Sequence, residues 1–272
     1  MKVIRVLHSA FVWLWAVLWS VVWISLAMVV SVFSSEAALA MARLFWSRPI
    51  LWMVGARLRL EPLPDVDWSR PHLFAMNHQS TLDIPAAFAV LPVNLRFVAK
   101  HSLSQVPFVG WYMRRTGMVF VDRSKRARAV ESLRLAGERI RAGANILIFP
   151  EGTRSRDGKI LPFKKGPFAL ALEAKVPIVP VVIEGSSQAL PADAWTMSPG
   201  KAIRVKVGQP ISTEGRSEDD REALAREVWE AMARLHREIG GKSGDPGGVE
   251  AVATPAEEGE GEGGSGKPLQ VA

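Results

Sequence analysis

Leu73-Phe74-Ala75-Met76-Asn77-His78-Gln79-Ser80-Thr81-Leu82-Asp83-Ile84-Pro85 is the stretch on which the reading of the fold turns. Four apolar residues bounded by polar ones describe a short strand with both faces covered. Proline is tolerated in the first turn of a helix, so Pro85 marks a helix that begins near Asp83. Similar apolar runs, each bounded by turn residues, recur at 95–99, 118–121, 145–149, 176–183 and 202–207, and residues 57–61 alternate polar with apolar. Helical patterns lie between several of these runs. Residues 124–142 carry Val130, Leu133, Leu135 and Ile140 on one side and arginines on the other. Residues 217–239 are amphipathic, with acids in the first turn and Arg and His in the last. The expectation is an α/β fold: a single mixed-sheet domain over 57–240 with helices on both faces.

The loop in this stretch offers chemistry. A histidine at a strand end with a carboxylate five residues on is a candidate base with its orienting partner. The spacing is poor for a helical pair, but it works if His78 sits in the loop and Asp83 opens the helix. Asp83 then accepts the Nδ1 proton and leaves Nε2 free to take a proton from a hydroxyl. The plainer alternative makes Asp83 a helix cap and His78 a satisfied loop residue. A metal site would need a third ligand, and the sequence places none nearby.

Composition narrows the partners. The 272 residues are 48% hydrophobic and 22% charged, which suits a packed core rather than a disordered chain. The absence of cysteine excludes a disulfide scaffold, a thiol nucleophile and Cys-based zinc sites, and leaves the redox compartment unread. Residues 242–272 hold two basic residues (Lys242, Lys267) and six acidic ones, leaving 32 basic against 21 acidic in residues 1–241, a net +11. A body this basic favours an anionic partner: nucleic acid, an anionic bilayer or a phosphorylated substrate. Residues 241–272, rich in Gly, Glu, Ser and Pro, read as a disordered tail.

The N-terminus points to the bilayer. Lys2 and Arg5 precede thirty residues, 6–35, without Asp, Glu, Lys or Arg. A helix of that length runs ~45 Å, more than a hydrocarbon core of ~30 Å. A second apolar stretch, 37–53, is broken only by Arg43 and Arg48, with Pro49 as a helix stop. Residues 1–56 are therefore expected to form a membrane-associated two-helix segment. A cleavable signal peptide fits the basic start and Ala38-Leu39-Ala40, but its apolar region is normally ~7–15 residues. A single span and a hairpin dipping into one leaflet remain. Trp15, Trp19 and Trp23 form a stripe along one helix face, which suits a helix lying in the interface or one packed on the second helix.

Two further loops follow strands. In Phe149-Pro150-Glu151-Gly152-Thr153-Arg154-Ser155, Gly152 permits close backbone approach, Thr153 offers a hydroxyl and Arg154 a planar fork for phosphate. A turn with a surface salt bridge is the simpler alternative. In Gly117-Met118-Val119-Phe120-Val121-Asp122-Arg123, the strand end carries Arg123 within range of a phosphate. From Arg96 to Arg128 eight basic residues face one acid, Asp122. Arg126 and Arg128 fit a solvated helix face or a contact to anionic headgroups. Nucleic acid is disfavoured, because the patch lacks interleaved aromatics.

These pieces, in this order, resemble the lysophospholipid acyltransferase family, of the 1-acylglycerol-3-phosphate acyltransferase type, over residues 60–215. Asn77-His78 through Asp83 is similar to its NHxxxxD motif, and Gly117 to Arg123 is similar to its second motif. Phe149 to Ser155 is similar to its FPEGTRS motif, and Val176-Pro177-Ile178-Val179-Pro180-Val181 to its fourth. Phe163-Lys164-Lys165-Gly166 matches a familiar lead-in. One departure is the run Lys100-His101-Ser102-Leu103, where such sequences often carry an acid before the leucine; it leaves the choice of acceptor open.

The resemblance implies transfer of an acyl group from acyl-CoA or acyl carrier protein to a free hydroxyl of lysophosphatidate. His78 is then the general base and Asp83 its orienter, worth ~10²–10⁴-fold. Arg123, Glu151, Gly152, Thr153 and Arg154 would hold the acceptor's phosphate and glycerol. The hydroxyl attacks directly, so Ser80, the rival nucleophile, is not required. Phe149, Phe163 and Phe168 read as ordinary core. No metal or redox cofactor is implied. Because acyl thioesters are cytosolic, the active site is expected at a membrane's cytosolic face, the inner membrane in a bacterium. Other lyso-lipids, such as a lyso-ornithine lipid, are alternative acceptors. A lipid ester or phosphate hydrolase and a non-catalytic membrane scaffold are the competing classes.

Overall fold

The structure is a computed structural model that describes residues 2–121 and 126–242. Arg123 and the Gly/Glu-rich tail from 243 onward lie outside the described residues.

Uninterrupted apolar sequence makes the first helix, α1 (Lys2–Phe33). Ser34 then breaks it and caps α2 (Ser35–Met41), its hydroxyl accepting the N–H of Ala37. A π-helical turn (Ala42–Trp46) leads into α3 (Ser47–Val54), which ends on Gly55 at φ +75°. Pro49 is not the stop that the sequence suggests: it occupies the first turn of α3, where its missing N–H costs nothing. The second stretch folds back on α1. Trp46 Nε1 donates to Ser20 Oγ at 2.9 Å, and Trp23 stacks on Phe45 at 5.2 Å. Trp15 and Trp19 stack on each other at 5.2 Å.

Seven strands form one sheet: β1 (Arg57–Leu60), β2 (Leu73–Met76), β3 (Leu95–Lys100), β4 (Val119–Val121), β5 (Asn145–Ile148), β6 (Ile178–Glu184) and β7 (Ala202–Val207). Their order is β1-β7-β6-β2-β5-β3-β4. The five strands from β6 to β4 are parallel, whereas β7 runs antiparallel to β6 and parallel to β1. The sheet is mixed, as expected, and apolar on both faces. Along β2, Phe74 and Met76 enter one core while Leu73 and Ala75 enter the other, the period-two alternation of a covered strand.

Helices α4 (Asp83–Val90) and α5 (Val109–Arg115) join α1–α3 over the first face. On the second lie α6 (Arg126–Arg141), α7 (Gly166–Ala174) and α9 (Arg221–Glu238), while α8 (Ser186–Ala189) follows β6. A capping box between Ser217 and Asp220 starts the turn that feeds α9. In α6 the buried line is Ser132, Ala136 and Ile140, four residues apart, and Leu135 points outward instead of sharing the face with Ile140. At ~100° per residue, position 135 cannot join that line.

The N-terminal helix is not detached from the domain. Val12 and Ala27 belong to the same apolar cluster as Phe74 and Met76. Arg5 Nε donates to Met197 O at 3.2 Å, Ser9 Oγ accepts Met197 N–H at 2.8 Å and Trp13 Nε1 donates to Trp195 O at 2.8 Å. Glu36, in the first turn of α2, pairs with Arg96 of β3 and takes Asn94 Nδ2 at 2.9 Å. The outward side of α1, with Ile4, Leu7, Phe11, Leu14 and Leu18, is exposed and apolar apart from Ser25.

Where β2 ends, a side chain continues its pairing. Asn77 is fully buried; its Oδ1 accepts Ile183 N–H at 2.8 Å and its Nδ2 donates to Ile183 O at 3.0 Å. The amide imitates one more residue of the ladder with β6 and locks the start of the loop. Replacing it should strand two buried backbone groups. Asn77→Leu is expected to lower unfolding stability by about 2–4 kcal/mol. Thermal unfolding in detergent checks this, and a loss under about 0.5 kcal/mol would mean that the clamp is ornamental.

Candidate active site

Because β2, β5 and β3 are parallel neighbours, the loops that leave their carboxyl ends converge. This is where α/β sheets bind ligands. The three loops are 77–83, 149–155 and the run that starts at Lys100.

His78 and Asp83 meet as expected. His78 Nδ1 lies 2.7 Å from Asp83 Oδ2. The same oxygen accepts the backbone N–H of Gln79 at 2.7 Å and of Ser80 at 2.8 Å. The two readings of Asp83 therefore hold together: one carboxylate oxygen caps the loop and orients the ring. Asp83 is fully buried as the first residue of α4, and Pro85 is buried two positions on. The imidazole lies flat on Phe149, with ring centroids 3.9 Å apart and planes 15° apart. Its Nε2 has no protein partner among the described residues. An Nδ1–H donated to a carboxylate leaves the Nε2 lone pair available to accept a proton.

The 149–155 loop grips the His78 peptide from both sides. Glu151 Oε1 accepts His78 N–H at 3.3 Å, and Ser155 N–H donates to His78 O at 2.7 Å. Glu151 thus sits beneath the loop, buried, and does not line the groove that borders His78. Burial pushes its carboxyl well above the usual range against the opposing pull of the His78 N–H, and the nearby Asp83 charge adds to the rise. Gly152, at φ +73°, turns the chain so that Thr153 and Arg154 do reach the groove. Arg154 Nη1 donates to Thr81 Oγ1 at 3.1 Å at the exposed mouth. Of the residues singled out, His78, Asp83, Gly152, Thr153 and Arg154 are thus gathered around one opening, Glu151 supports it from below, and Arg123 lies outside the described residues. Ser80 is fully buried and donates to Leu190 O at 2.7 Å, turned away from the groove.

The groove has a volume of about 1060 Å³. Lys100, His101, Thr153 and Arg154 make one part of its lining polar and cationic. Most of the rest is apolar and includes Trp23, Ile24 and Ala27 of α1, Trp46, Phe88, Phe97 and Met113. Phe163 and Phe168 are core, as expected, but Phe149 is both lining and the platform for the His78 ring. The contribution of α1 was not visible in sequence; the Trp stripe, which includes Trp23, was its only trace. Among the described residues no three His, Asp or Glu side chains gather closely enough to hold a metal ion.

An acyltransferase family model matches residues 57–184. The 1-acyl-sn-glycerol-3-phosphate acyltransferase of Saccharomyces cerevisiae is 40% identical over 174 residues, which cover 63% of this chain and 57% of that one. The alpha form of this enzyme from Ovis aries is 34% identical over 208 residues, covering 74% of this chain and 72% of the relative. The chain therefore spans about three fifths of the first of these relatives and nearly three quarters of the second. The crystal structure of the 1-acyl-sn-glycerophosphate (LPA) acyltransferase PlsC from Thermotoga maritima superimposes with a TM-score of 0.78 at 28% identity, covering 90% of this chain and 99% of that one. With the paired His78 and Asp83 at the end of β2 and these relatives across the sheet, the chain belongs to the acyltransferase family, of the 1-acyl-sn-glycerol-3-phosphate acyltransferase type.

Proposed function

We propose that this protein transfers a fatty acyl group from an acyl thioester, acyl-CoA or acyl carrier protein, to the free 2-hydroxyl of 1-acylglycerol-3-phosphate, making phosphatidate. The observation that carries the reading is the 2.7 Å pair of His78 Nδ1 and Asp83 Oδ2 at the edge of a mainly apolar groove that also carries Lys100 and Arg154. His78 Nε2 takes the hydroxyl proton while the oxygen bonds to the thioester carbonyl carbon. The tetrahedral adduct collapses, the C–S bond breaks, and the thiolate takes the proton back from the imidazolium. Arg154 and Thr153 suit the acceptor's phosphate, and the apolar walls suit acyl chains. Ser102, which lines the groove just before Leu103, stands where related sequences often carry an acid, which favours testing other lyso-lipid acceptors beside lysophosphatidate.

The membrane arrangement follows from α1. It is long and apolar enough to cross a bilayer, yet one side is held to the domain from Arg5 to Ala27. A helix pressed along a folded domain with only an apolar stripe free suits lying in one leaflet. The groove then opens at that leaflet on the cytosolic side, where thioesters are made.

Three outcomes test this reading. Wild-type protein given lysophosphatidate and acyl-CoA should release free thiol, and His78→Ala and Asp83→Asn should each slow it about 10²–10⁴-fold; undiminished turnover in either sinks the mechanism, and thiol release without acceptor marks a hydrolase. Arg154→Ala should raise KM for phosphate-bearing acceptors about ten- to hundredfold with little change for neutral ones. Glu151 supplies a pH test. A carboxyl whose folded value is raised costs stability as pH climbs from its unfolded value toward the folded one. Glu151→Gln keeps the acceptor for His78 N–H and removes that cost, so its melting temperature should gain on the wild type's as pH climbs above the ordinary carboxyl value of 4.5. A constant difference above that value would contradict the burial argument.

A further inference from the structure

The residue next to the base faces away from the groove. Gln79 is fully buried, and its backbone N–H already serves Asp83 Oδ2. Its side chain runs to partners that do not line the groove. Gln79 Nε2 lies 3.0 Å from Glu184 Oε2 and 3.1 Å from Gly158 O, and Ser187 Oγ lies 3.4 Å from Gln79 Oε1. His236, from α9, places Nε2 3.0 Å from the same Glu184 oxygen. Gln79 Nε2 and His236 Nε2 are 3.3 Å apart. As two donors they meet through the carboxylate oxygen between them rather than through each other. His236 is fully buried, and Gly241 closes over its ring so tightly that a Cβ there would sit 2.3 Å from ring atoms.

A buried carboxylate paired with a buried imidazole is costly to assemble, and a simple apolar pair would fill the space. The acyl transfer makes no direct use of either group. Burial alone would push the Glu184 carboxyl up, but the hydrogen bonds from His236 and Gln79 outweigh it and hold the group below its ordinary value, so it stays a charged acceptor. What the pair reaches is the side chain of Gln79, one of the two residues whose own peptide N–H holds the orienting aspartate.

We propose that Glu184 and His236 are positioning residues for the acyl transfer: they fix Gln79 from behind, so that the N–H groups of Gln79 and Ser80 stay aimed at Asp83 Oδ2 and His78 stays in line. The connection runs from α9, through the end of β6, into the loop after β2. Without the carboxylate the Gln79 amide keeps only Gly158 O and the long contact to Ser187 Oγ, so it is held less firmly and its peptide shifts with it. Asp83 then loses a donor, and the imidazole drifts from the attacking hydroxyl. A misplacement of ~1 Å costs on the order of 10²-fold in rate. Neither residue touches substrate, so binding is left alone.

The inference rests on the acyl-transfer reading, and the experiment keeps the two apart. Full-length wild type, Glu184→Ala, Gln79→Glu and the exchange variant Gln79→Glu with Glu184→Gln are compared in the same vesicles by steady-state thiol release and by thermal unfolding. Glu184→Ala is expected to lower kcat about ten- to hundredfold, with KM for acceptor and thioester within about twofold of wild type. Gln79→Glu sets two carboxylates against each other and should lose a similar factor. The exchange restores a carboxylate–amide pair, with His236 now facing Glu at position 79, and should recover most of kcat. A folded Glu184→Ala with unchanged kcat, or one whose defect is in KM, overturns the proposal. So does an exchange variant no more active than Gln79→Glu, which decides the matter even if Glu184→Ala fails to fold. A wild type that releases no thiol with any acceptor defeats the acyl-transfer reading instead.

Discussion

One oxygen atom carries the organisation of the active end. Asp83 Oδ2 accepts from the imidazole Nδ1 and from two successive backbone N–H groups, all within 2.8 Å. Three donors on one buried acceptor stabilise the ionised carboxylate and leave it a single orientation. The ring is then fixed at one edge by that oxygen and across its face by Phe149. Such restraint is expensive in conformational entropy, and the neighbours share the cost: Asn77 clamps the loop's start to β6, while Glu151 and Ser155 hold the His78 peptide. Two distant chain segments, β6 and the 149–155 loop, thus converge on a unit of seven residues.

Sheet direction explains why those segments meet. Parallel pairing of β2 with β5 and β6 sends their carboxyl ends the same way, so loops distant in sequence end as neighbours. The reversal at β7 turns the chain back and frees α9 to pack beneath the sheet, where His236 reaches the underside of the same loop. Both apolar cores contribute, one carrying the groove and the other carrying α9.

Much of this was legible in the chain. Short apolar runs bounded by turn residues marked six of the seven strands, and polar–apolar alternation marked β1, all to within two residues. The spacing of His78 and Asp83, with Pro85 behind, placed the dyad, since local chain geometry nearly determines it. Tertiary placement decided what the sequence left open. Glu151 reads as a ligand for substrate in a polar motif, yet its side chain turned down to a backbone N–H. Pro49 reads as a breaker, yet a preceding π-turn let it begin a new helix. The Gln79–Glu184–His236 contact joins residues up to 157 positions apart, and no local pattern announces it.

The groove wall supplied by α1 ties two properties that are usually separable. Trp23, Ile24 and Ala27 line the apolar interior while the outward stripe of the same helix is bare. On the proposed reading, a shortened chain lacking this helix would lose more than a hold on a lipid surface: one wall of the cavity would open to water. On the proposed acyl-transfer reading, attachment and the shape of the acyl slot would rest on one helix, so a change that repacks α1 would alter both.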